Sequence, residues 1–432
     1  MVDIAPFRAL RHFTKKKQDN ISTFICPPYD VISYQQRAEL VRRNPANVVQ
    51  LELPEGNGDK YENAARIMRL WKEEGTIQSD RLPSFYLLET SFRVKDAFAP
   101  SKALKRYGVL AALRLETPGK GRVHPHERTL PKAKEDRLHL LAALQTNVSP
   151  IFGLFFDPQK KWKKWAARAS KGQPLAVGRE DKNLSHRMWK IGDEKLQREL
   201  RSLLKSKDLY IADGHHRYEV AWAYRESRLA GQPSAELNCL GWCHAMTYIC
   251  PMEEPGLLML PTHRLVRAQA NPAAWKSHLE SVFHLTPVKN LAAAVKILSK
   301  PTKTRTMAWA HKGGVFLLTL KPGLSLDRCL HHRPEALRAL DVVMLHDLAL
   351  DEGSEDTGFL KEKEVIYTRD LEEIGERVSR DEGWVAFLLA SAGVQSLARV
   401  AAAKEVMPPK TTYFYPKVPT GFALMPLKQK IE

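Results

Sequence analysis

The chain contains few cysteines and no long apolar run. Its five cysteines among 432 residues are scattered and odd in number, which argues against a disulfide framework. The longest apolar runs, such as residues 256–260, fall far short of the ~20 residues that a membrane-spanning helix needs. Asp3, Arg8 and Arg11 precede any signal-like apolar region. The sequence therefore predicts a soluble, cytoplasmic protein.

Several enzyme motifs are also missing. There is no Gly-x4-Gly-Lys-Ser/Thr phosphate loop and no Gly-x-Ser-x-Gly nucleophile elbow. His126-Glu127 is not followed by a histidine at the metalloprotease spacing, and no Pro-Cys-x-x-Cys segment accompanies it as in zinc deaminases. Cys239-x3-Cys243-His244 lacks a second pair of zinc ligands. These absences disfavour the usual kinase and hydrolase folds.

Positive charge is abundant, with a formal net charge of +18. The segment 160–207 holds 15 Lys and Arg against 5 Asp and Glu, so it supplies more than half of that charge. Its first residues are typical of a basic helix in which Trp162 and Trp165 either stack on nucleic-acid bases or contact the core. We interpret it as a solvated helix on an insertion, since a charge run usually faces water. Binding of nucleic acid remains the alternative.

The apolar pattern predicts an α/β unit followed by an α+β region. The proline-rich stretch 407–421 must be extended, because proline breaks helices. The predicted strands cover 84–89, 107–115, 151–156 and 209–212, and the predicted helices cover 61–75, 132–145 and the chain after the last strand to about 229. The predicted domains are an N-terminal α/β region (1–100), a nucleotide- or phosphate-binding domain (101–230, with a basic insertion at about 158–207) and a C-terminal α+β region (231–432).

A concentrated polar motif, Asp213-Gly214-His215-His216-Arg217, stands where a predicted strand becomes a helix. A helix N-terminus stabilises a phosphate through its free amides and its dipole. Gly214 would let the backbone approach the ligand, and Arg217 could bind two oxygens at once. The motif therefore predicts a phosphate site. In the alternative, Asp213 is an N-cap, the two histidines are solvated, and Arg217 pairs with a carboxylate.

A second polar segment, His124-Pro-His-Glu-Arg-Thr, places Glu127 in a short loop beside two imidazoles. A carboxylate in that setting can act as a general base that takes the proton from a hydroxyl as it attacks phosphorus. The alternative is a surface loop in which Glu127 forms a salt bridge with Arg122, Arg128 or Lys132.

Several motifs in a fixed order make the chain similar to a known family. The motifs are Cys26-Pro-Pro-Tyr-Asp-Val-Ile-Ser, Asn44-Pro-Ala-Asn, His126-Glu-Arg-Thr, Glu135-Asp-Arg-Leu, Asn147-Val-Ser-Pro-Ile-Phe, Ile211-Ala-Asp-Gly-His-His-Arg-Tyr-Glu, Leu260-Pro-Thr-His-Arg-Leu and Met407-Pro-Pro-Lys-Thr-Thr-Tyr-Phe-Tyr-Pro-Lys. On these motifs the chain is identified as a member of the bacterial and archaeal family catalogued as domain of unknown function 1015.

Residues 107–230 also resemble the ParB/sulfiredoxin superfamily, whose nucleotide-dependent members include free serine kinases. Pro125-His126-Glu127 and the motif at 213–217 match two kinase motifs in the same order. The resemblance implies that Glu127, with His126 beside it, is catalytic and that Asp213, Gly214, His215, His216 and Arg217 bind phosphate.

The same resemblance implies Mg²⁺ with ADP or ATP as cofactors, and Asp213 is the most plausible metal contact. It implies L-serine as substrate, or phosphoserine if the reaction runs in reverse. The alternative function is a ParB-like nucleotide-binding regulator that binds nucleic acid through the basic insertion. The chain departs from the compact kinases in one respect: a basic insertion of roughly fifty residues, which those kinases lack, lies between the two motifs.

Overall fold

A computed structural model describes most of the chain. The described ranges are 2–14, 18–56, 58–127, 131–230, 240–267, 272–300, 305–350, 364–380, 383–408 and 410–431. They form two units: the first unit comprises 1–94, 102–257 and 416–432, and the second comprises 95–101 and 258–415. None of the described helices is long and apolar enough to cross a membrane.

The strands of the described ranges are numbered in chain order. They are β1 Ile4–Ala5, β2 Leu10–His12, β3 Asp19–Asn20, β4 Ile77–Ser79, β5 Phe85–Phe92, β6 Leu104–Arg114, β7 Val123–His124, β8 Thr146–Asn147, β9 Ile151–Phe155, β10 Ala176–Asp181, β11 Leu184–Ile191, β12 Leu209–Asp213, β13 His244–Pro251, β14 Leu258–Leu260, β15 His263–Arg267, β16 Phe283–Val288, β17 Thr306–His311, β18 Gly314–Leu320, β19 Glu364–Thr368, β20 Trp384–Leu388, β21 Tyr413–Tyr415 and β22 Met425–Pro426.

The α-helices are numbered in the same way. They are α1 Tyr34–Arg43, α2 Val49–Glu52, α3 Lys60–Glu73, α4 Pro131–Leu144, α5 Lys161–Ala169, α6 Glu194–Lys205, α7 His215–Leu229, α8 Pro272–Val282, α9 Leu291–Leu298, α10 Leu326–Cys329, α11 Glu335–Arg338, α12 Asp341–Met344, α13 Leu371–Arg380 and α14 Val394–Ala402. Short 3₁₀ turns cover 29–31 and 241–243, and a π-helical turn covers 345–349.

One large mixed sheet organises the first unit, which is therefore mixed α/β. Its strand order is β3-β10-β11-β5-β6-β13-β9-β12-β7, and β1 pairs with β6 at the side. The pairs β3–β10, β9–β13 and β7–β12 are parallel, and the other pairs of this sheet are antiparallel. The predicted strands at 84–89, 107–115, 151–156 and 209–212 are confirmed as members of this sheet.

The basic segment supplies both a helix and two strands of the main sheet. Strands β10 and β11 lie between β3 and β5, so the residues predicted as an insertion complete one side of the sheet. Helix α5 is amphipathic: Trp162 and Trp165 are 1% and 2% exposed, while the lysines around them face solvent. Both indoles belong to the apolar core of the first unit, so they are not available for stacking on bases.

The second unit contains a six-stranded sheet with the order β16-β18-β17-β20-β15-β19. Apolar residues of α9 and α13 cover this sheet and form a core with Ala308, Ala386 and Leu388. In the proline-rich tail, β21 pairs with β14, which confirms the predicted extended conformation at residues 413–415.

The cysteines of the described ranges carry no disulfide. Cys26, Cys243 and Cys250 are buried and free, and Cys329 is partly buried and free. Cys239 lies outside the described residues. Burial raises the pKa of the Cys26 thiol well above its ordinary value and raises the pKa of Cys250 as well. These thiols are therefore protonated at neutral pH and act as small apolar groups.

We predict that Trp162→Ala lowers the free energy of unfolding of the first unit by about 3–5 kcal/mol, because it leaves a large cavity in the core. Chemical denaturation followed by circular dichroism measures this change. The exposed neighbour Lys164 provides the control: Lys164→Ala should stay within about 0.5 kcal/mol of the wild type. A similarly small effect of Trp162→Ala would contradict the buried placement of this indole.

Candidate phosphate-binding site

The motif at 213–217 occupies the junction between β12 and α7. Residues 209–212 are buried in the sheet, Asp213 ends the strand, and Gly214 is the N-cap with φ +88° and ψ 29°. A Cβ atom at Gly214 would lie 3.0 Å from Nε of Arg217, so both the left-handed backbone and the space favour glycine. The first bond within α7 runs from Tyr218 N to Gly214 O at 3.0 Å. The amides of residues 215–217 therefore have no acceptor inside the helix.

The carboxylate of Asp213 lies between two cations. Oδ2 is 2.8 Å from Nη2 of Arg217, and Oδ1 is 2.6 Å from Nζ of Lys417 in the C-terminal tail. The same Nζ lies 3.8 Å from Oδ2 of Asp30. Burial alone would raise the pKa of Asp213, but Lys417 and Arg217 outweigh burial and hold this pKa well below its ordinary value. Asp213 is therefore ionised at neutral pH.

These contacts can be compared with the two interpretations of the motif at 213–217, the phosphate site and the N-cap alternative. Asp213 does not act as an N-cap, because Gly214 has that position and no side chain caps α7. The alternative was right that Arg217 pairs with a carboxylate, and the partner is Asp213 itself. His215 is 5% exposed, so it is not solvated as that alternative required, and His216 is half-buried.

Arg217 is held mainly by protein groups. Its Nη1 donates to the carbonyl of Pro150 and its Nη2 donates to Asp213. Its Nε is buried and has no hydrogen-bond partner among the described residues. Both terminal nitrogens thus donate to protein acceptors, and each keeps a second N–H hydrogen. The grip of Arg217 on two ligand oxygens stays a prediction, and its guanidinium contributes a positive charge to the site.

The two predicted motifs meet at His215. The backbone N of His126 donates to Nε2 of His215 at 3.3 Å, and the two rings pack edge to face with centroids 4.6 Å apart. Because Nε2 accepts this bond, the proton of the neutral ring resides on Nδ1. That Nδ1 lies 3.9 Å from Oε2 of Glu127, whose side chain is about one-third exposed. The imidazole of His215 thus lies between the buried His126 and the accessible carboxylate of Glu127.

Burial controls the charge of both histidines. It lowers the pKa of His126 to about 4 and lowers the pKa of His215 well below its ordinary value. Both rings are therefore neutral at neutral pH. The positive charge that surrounds Asp213 comes from Arg217 and Lys417, and the histidines contribute hydrogen bonding and shape instead.

A second ionic cluster lies beside this site. Arg137 donates from Nε and Nη2 to Asp136, and its guanidinium carbon lies 4.5 Å from the ring centroid of Tyr29. Asp136 also accepts from Lys60 at 2.7 Å and from the Tyr61 hydroxyl at 2.9 Å. Burial alone would raise the pKa of Asp136, but Lys60, Arg137 and Tyr61 outweigh burial and lower this pKa to about 2.

Asp213 does not fit the predicted role of a magnesium ligand in this arrangement. Its two oxygens are hydrogen-bonded to cationic nitrogens, which a metal ion would have to displace. Within the described ranges, no group of three or more His, Cys, Asp or Glu side chains could hold a metal ion. Magnesium usually depends on one or two carboxylates together with phosphates of the substrate.

Sequence reasoning did not assign a role to Asp30 or Tyr29, and it left the role of Lys417 open. All three belong to motifs that carry the family resemblance: Cys26-Pro-Pro-Tyr-Asp and Tyr415-Pro-Lys. Lys417 is 204 residues from Asp213, so no local pattern could reveal the contact. The indication in the sequence that these residues matter is that they belong to the motifs shared with the family. Arg128 lies outside the described residues.

Comparisons with known proteins agree with the motif analysis. A family model described as "Protein of unknown function (DUF1015)" matches residues 4–343. A search of curated proteins finds no match.

Solved structures with low sequence identity are similar to the chain. Free serine kinase in complex with AMP is 13% identical, with 71% of this chain and 88% of that chain covered and a TM-score of 0.34. SbnI with a C-terminal truncation from Staphylococcus aureus is 10% identical, with coverage of 71% and 84% and a TM-score of 0.36. A conserved hypothetical protein from Pyrococcus furiosus is 14% identical, with coverage of 70% and 92% and a TM-score of 0.33.

The buried histidine predicts a specific pH dependence of stability. The pKa of His126 is about 4 in the folded chain and 6.5 in its ordinary state, so the unfolded chain binds the proton first as the pH falls. Stability from this residue is complete above pH 6.5 and decreases between pH 6.5 and 4. One such proton corresponds to about 1.4 kcal/mol per pH unit.

Denaturation curves at several pH values test this expectation. His126→Gln should flatten the decrease in stability below pH 6.5, whereas His139→Gln, at an exposed position of α4, should leave the slope of the wild type. Equal slopes for the wild type and His126→Gln would contradict a neutral, buried His126.

Proposed function

The chain belongs to the DUF1015 family, and we propose that it is a phosphotransferase that uses ADP or ATP to phosphorylate free L-serine, or that catalyses the reverse reaction. Residues 101–230, a ParB/sulfiredoxin-like core, would bind the nucleotide in this proposal. The N-terminal region and the C-terminal tail would complete the site, through Asp30 and Lys417 respectively.

The observation that carries the proposal is that the carboxylate of Glu127 lies beside the start of α7, the predicted phosphate site. Glu127 lies 3.9 Å from His215, which is the first residue of α7. The same helix start offers amides without an acceptor in the helix, a positive dipole and the nearby cations Arg217 and Lys417. A base and a phosphate-binding element within a few ångströms are what transfer of phosphate to a hydroxyl requires.

In the proposed reaction, Glu127 accepts the proton of the substrate hydroxyl. The hydroxyl oxygen forms a bond to the terminal phosphorus of the nucleotide, and the bond from that phosphorus to the bridging oxygen breaks. The shortened nucleotide leaves with the electron pair of that bond. The amides at the start of α7 and the ammonium of Lys417 stabilise the charge on the transferring oxygens.

His215 and His126 have positioning roles in this proposal. His215 is neutral, and its Nδ1–H is on the side of the ring that faces Glu127. His126 fixes the ring of His215 through its backbone amide. Neither ring carries a charge that would compete with Lys417 for phosphate.

The direct test incubates the purified protein with L-serine and magnesium salts of ATP, ADP or pyrophosphate, and in parallel with phosphoserine alone. Formation or loss of phosphoserine is followed by mass spectrometry. We expect turnover with an adenine nucleotide. Absence of phosphate transfer in every combination would overturn the proposal.

We predict that Glu127→Gln lowers kcat by about 10²–10⁴-fold, because it removes the proton acceptor. The affinity for nucleotide should change little, since the amide retains the size of the carboxylate. Glu135→Gln on the exposed face of α4 is the matched control and should keep the kcat of the wild type. A kcat of Glu127→Gln equal to that of the wild type would exclude this residue as the base.

We also predict that Lys417→Met weakens nucleotide binding by about 10- to 100-fold, because the site loses a cation and Asp213 loses one of its two partners. Isothermal titration with ADP measures the dissociation constant. Lys410→Met removes the same charge from an exposed position of the tail and should have no such effect. Equal losses in both variants would indicate a general charge effect in place of a contact with phosphate.

A further inference from the structure

A small cavity adjoins the phosphate motif through Arg217. Its volume is about 50 Å³, several times the ~10–15 Å³ that a single water needs. Its polar wall includes Glu52, Arg137, Asn147, Ser149 and Arg217. The remaining wall consists mostly of leucine and valine side chains from α4, α7 and the segment after β8. The cavity thus combines a few polar groups with an apolar boundary, as small-ligand sites do.

The carboxylate of Glu52 is the acceptor in this cavity. Glu52 is 1% exposed, and its Oε1 accepts a bond from the backbone N of Tyr29 at 3.3 Å. Among the described residues, no Lys, Arg or His nitrogen lies within 4.0 Å of this carboxylate; Arg137 donates to the backbone carbonyl of Glu52 instead. Arg217 acts on this carboxylate only at longer range. A buried carboxylate without a direct ion pair is stabilised by a ligand that donates charged hydrogen bonds to it.

Two donors in the same cavity also lack partners. The Nε of Arg217 and the Nδ2 of Asn147 are both buried, and neither has a hydrogen-bond partner among the described residues. Arg137 differs from them, because its three guanidinium nitrogens donate to Asp136 and to Glu52 O. The open groups of the cavity are therefore one anionic acceptor and two donors, one of them on a cation.

This set of groups is complementary to a small zwitterion. We infer that the cavity binds the free α-amino acid substrate, with its ammonium on Glu52 and its carboxylate on Nε of Arg217 and Nδ2 of Asn147. The inference rests on the proposed function and adds the recognition of the amino acid to it. Arg217 then has two roles, since its Nη2 orders Asp213 in the phosphate motif while its Nε faces the amino acid. The leucines and valines restrict the substrate to a small side chain.

Calorimetric titration of the full chain, with and without ADP, tests this inference on the wild type. We expect L-serine to bind. We expect 3-hydroxypropionate, which lacks the ammonium, and ethanolamine, which lacks the carboxylate, to bind at least about tenfold more weakly. Equal binding of the three compounds, or no binding of L-serine under either condition, would overturn the inference.

Two variants locate the binding groups. Glu52→Gln and Asn147→Leu should each weaken L-serine binding by about tenfold or more, while ADP affinity stays unchanged. Glu39→Gln, at an exposed position of α1, is the control for the lost charge and should bind L-serine as the wild type does. Unchanged L-serine affinity in both cavity variants would place the amino acid elsewhere.

The failures of the two proposals are distinguishable. If the chain phosphorylates L-serine but Glu52→Gln and Asn147→Leu leave its KM unchanged, the cavity assignment fails and the phosphotransferase proposal stands. If L-serine binds with the expected pattern of analogues and variants but no phosphate is transferred, the cavity assignment stands and the proposed reaction fails.

Discussion

The arrangement of the site depends on the charge balance of one carboxylate. Asp213 ends a strand of the main sheet and needs compensating positive charge because it is largely buried. Arg217, one helical turn later, supplies the first cation, and Lys417 of the tail supplies the second. Removing one partner of such a buried pair costs more than the pair itself contributes, because it leaves an uncompensated charge. Asp213 therefore holds the strand, the helix start and the tail in one arrangement.

This charge balance also gives the neutral histidines their role. With Arg217 and Lys417 near Asp213, protonation of His215 would add a third cation to a buried space, and burial already disfavours that form. The histidine pair therefore works through hydrogen bonds: His126 orders His215, and His215 lies beside Glu127. The neutral rings of His126 and His215 thus lie between Glu127, the proposed base, and the cations of the proposed phosphate site. In this account proton transfer and phosphate binding are carried out by different groups.

Sequence reasoning succeeded where the determining interactions are local. The apolar run before Asp213 and the polar motif after it predict a strand that leads directly into a helix, and both elements are present. It was less informative where distant segments decide the environment. No residue near Asp213 in the sequence indicates that Lys417 will contact it. Because this contact was not predicted, the carboxylate of Asp213 was interpreted as a metal ligand. Trp162 and Trp165 were ambiguous because a basic amphipathic helix has the same pattern whether its indoles face a core or a ligand.

The most direct test of the central claim compares the binding of ADP with that of adenosine to the wild-type chain by isothermal titration. If the start of α7 with Arg217 and Lys417 recognises phosphate, ADP binds, its affinity falls as salt is added, and inorganic phosphate competes with it. Adenosine should bind far more weakly. Equal affinities for ADP and adenosine, or binding of ADP that inorganic phosphate does not reduce, would contradict the account.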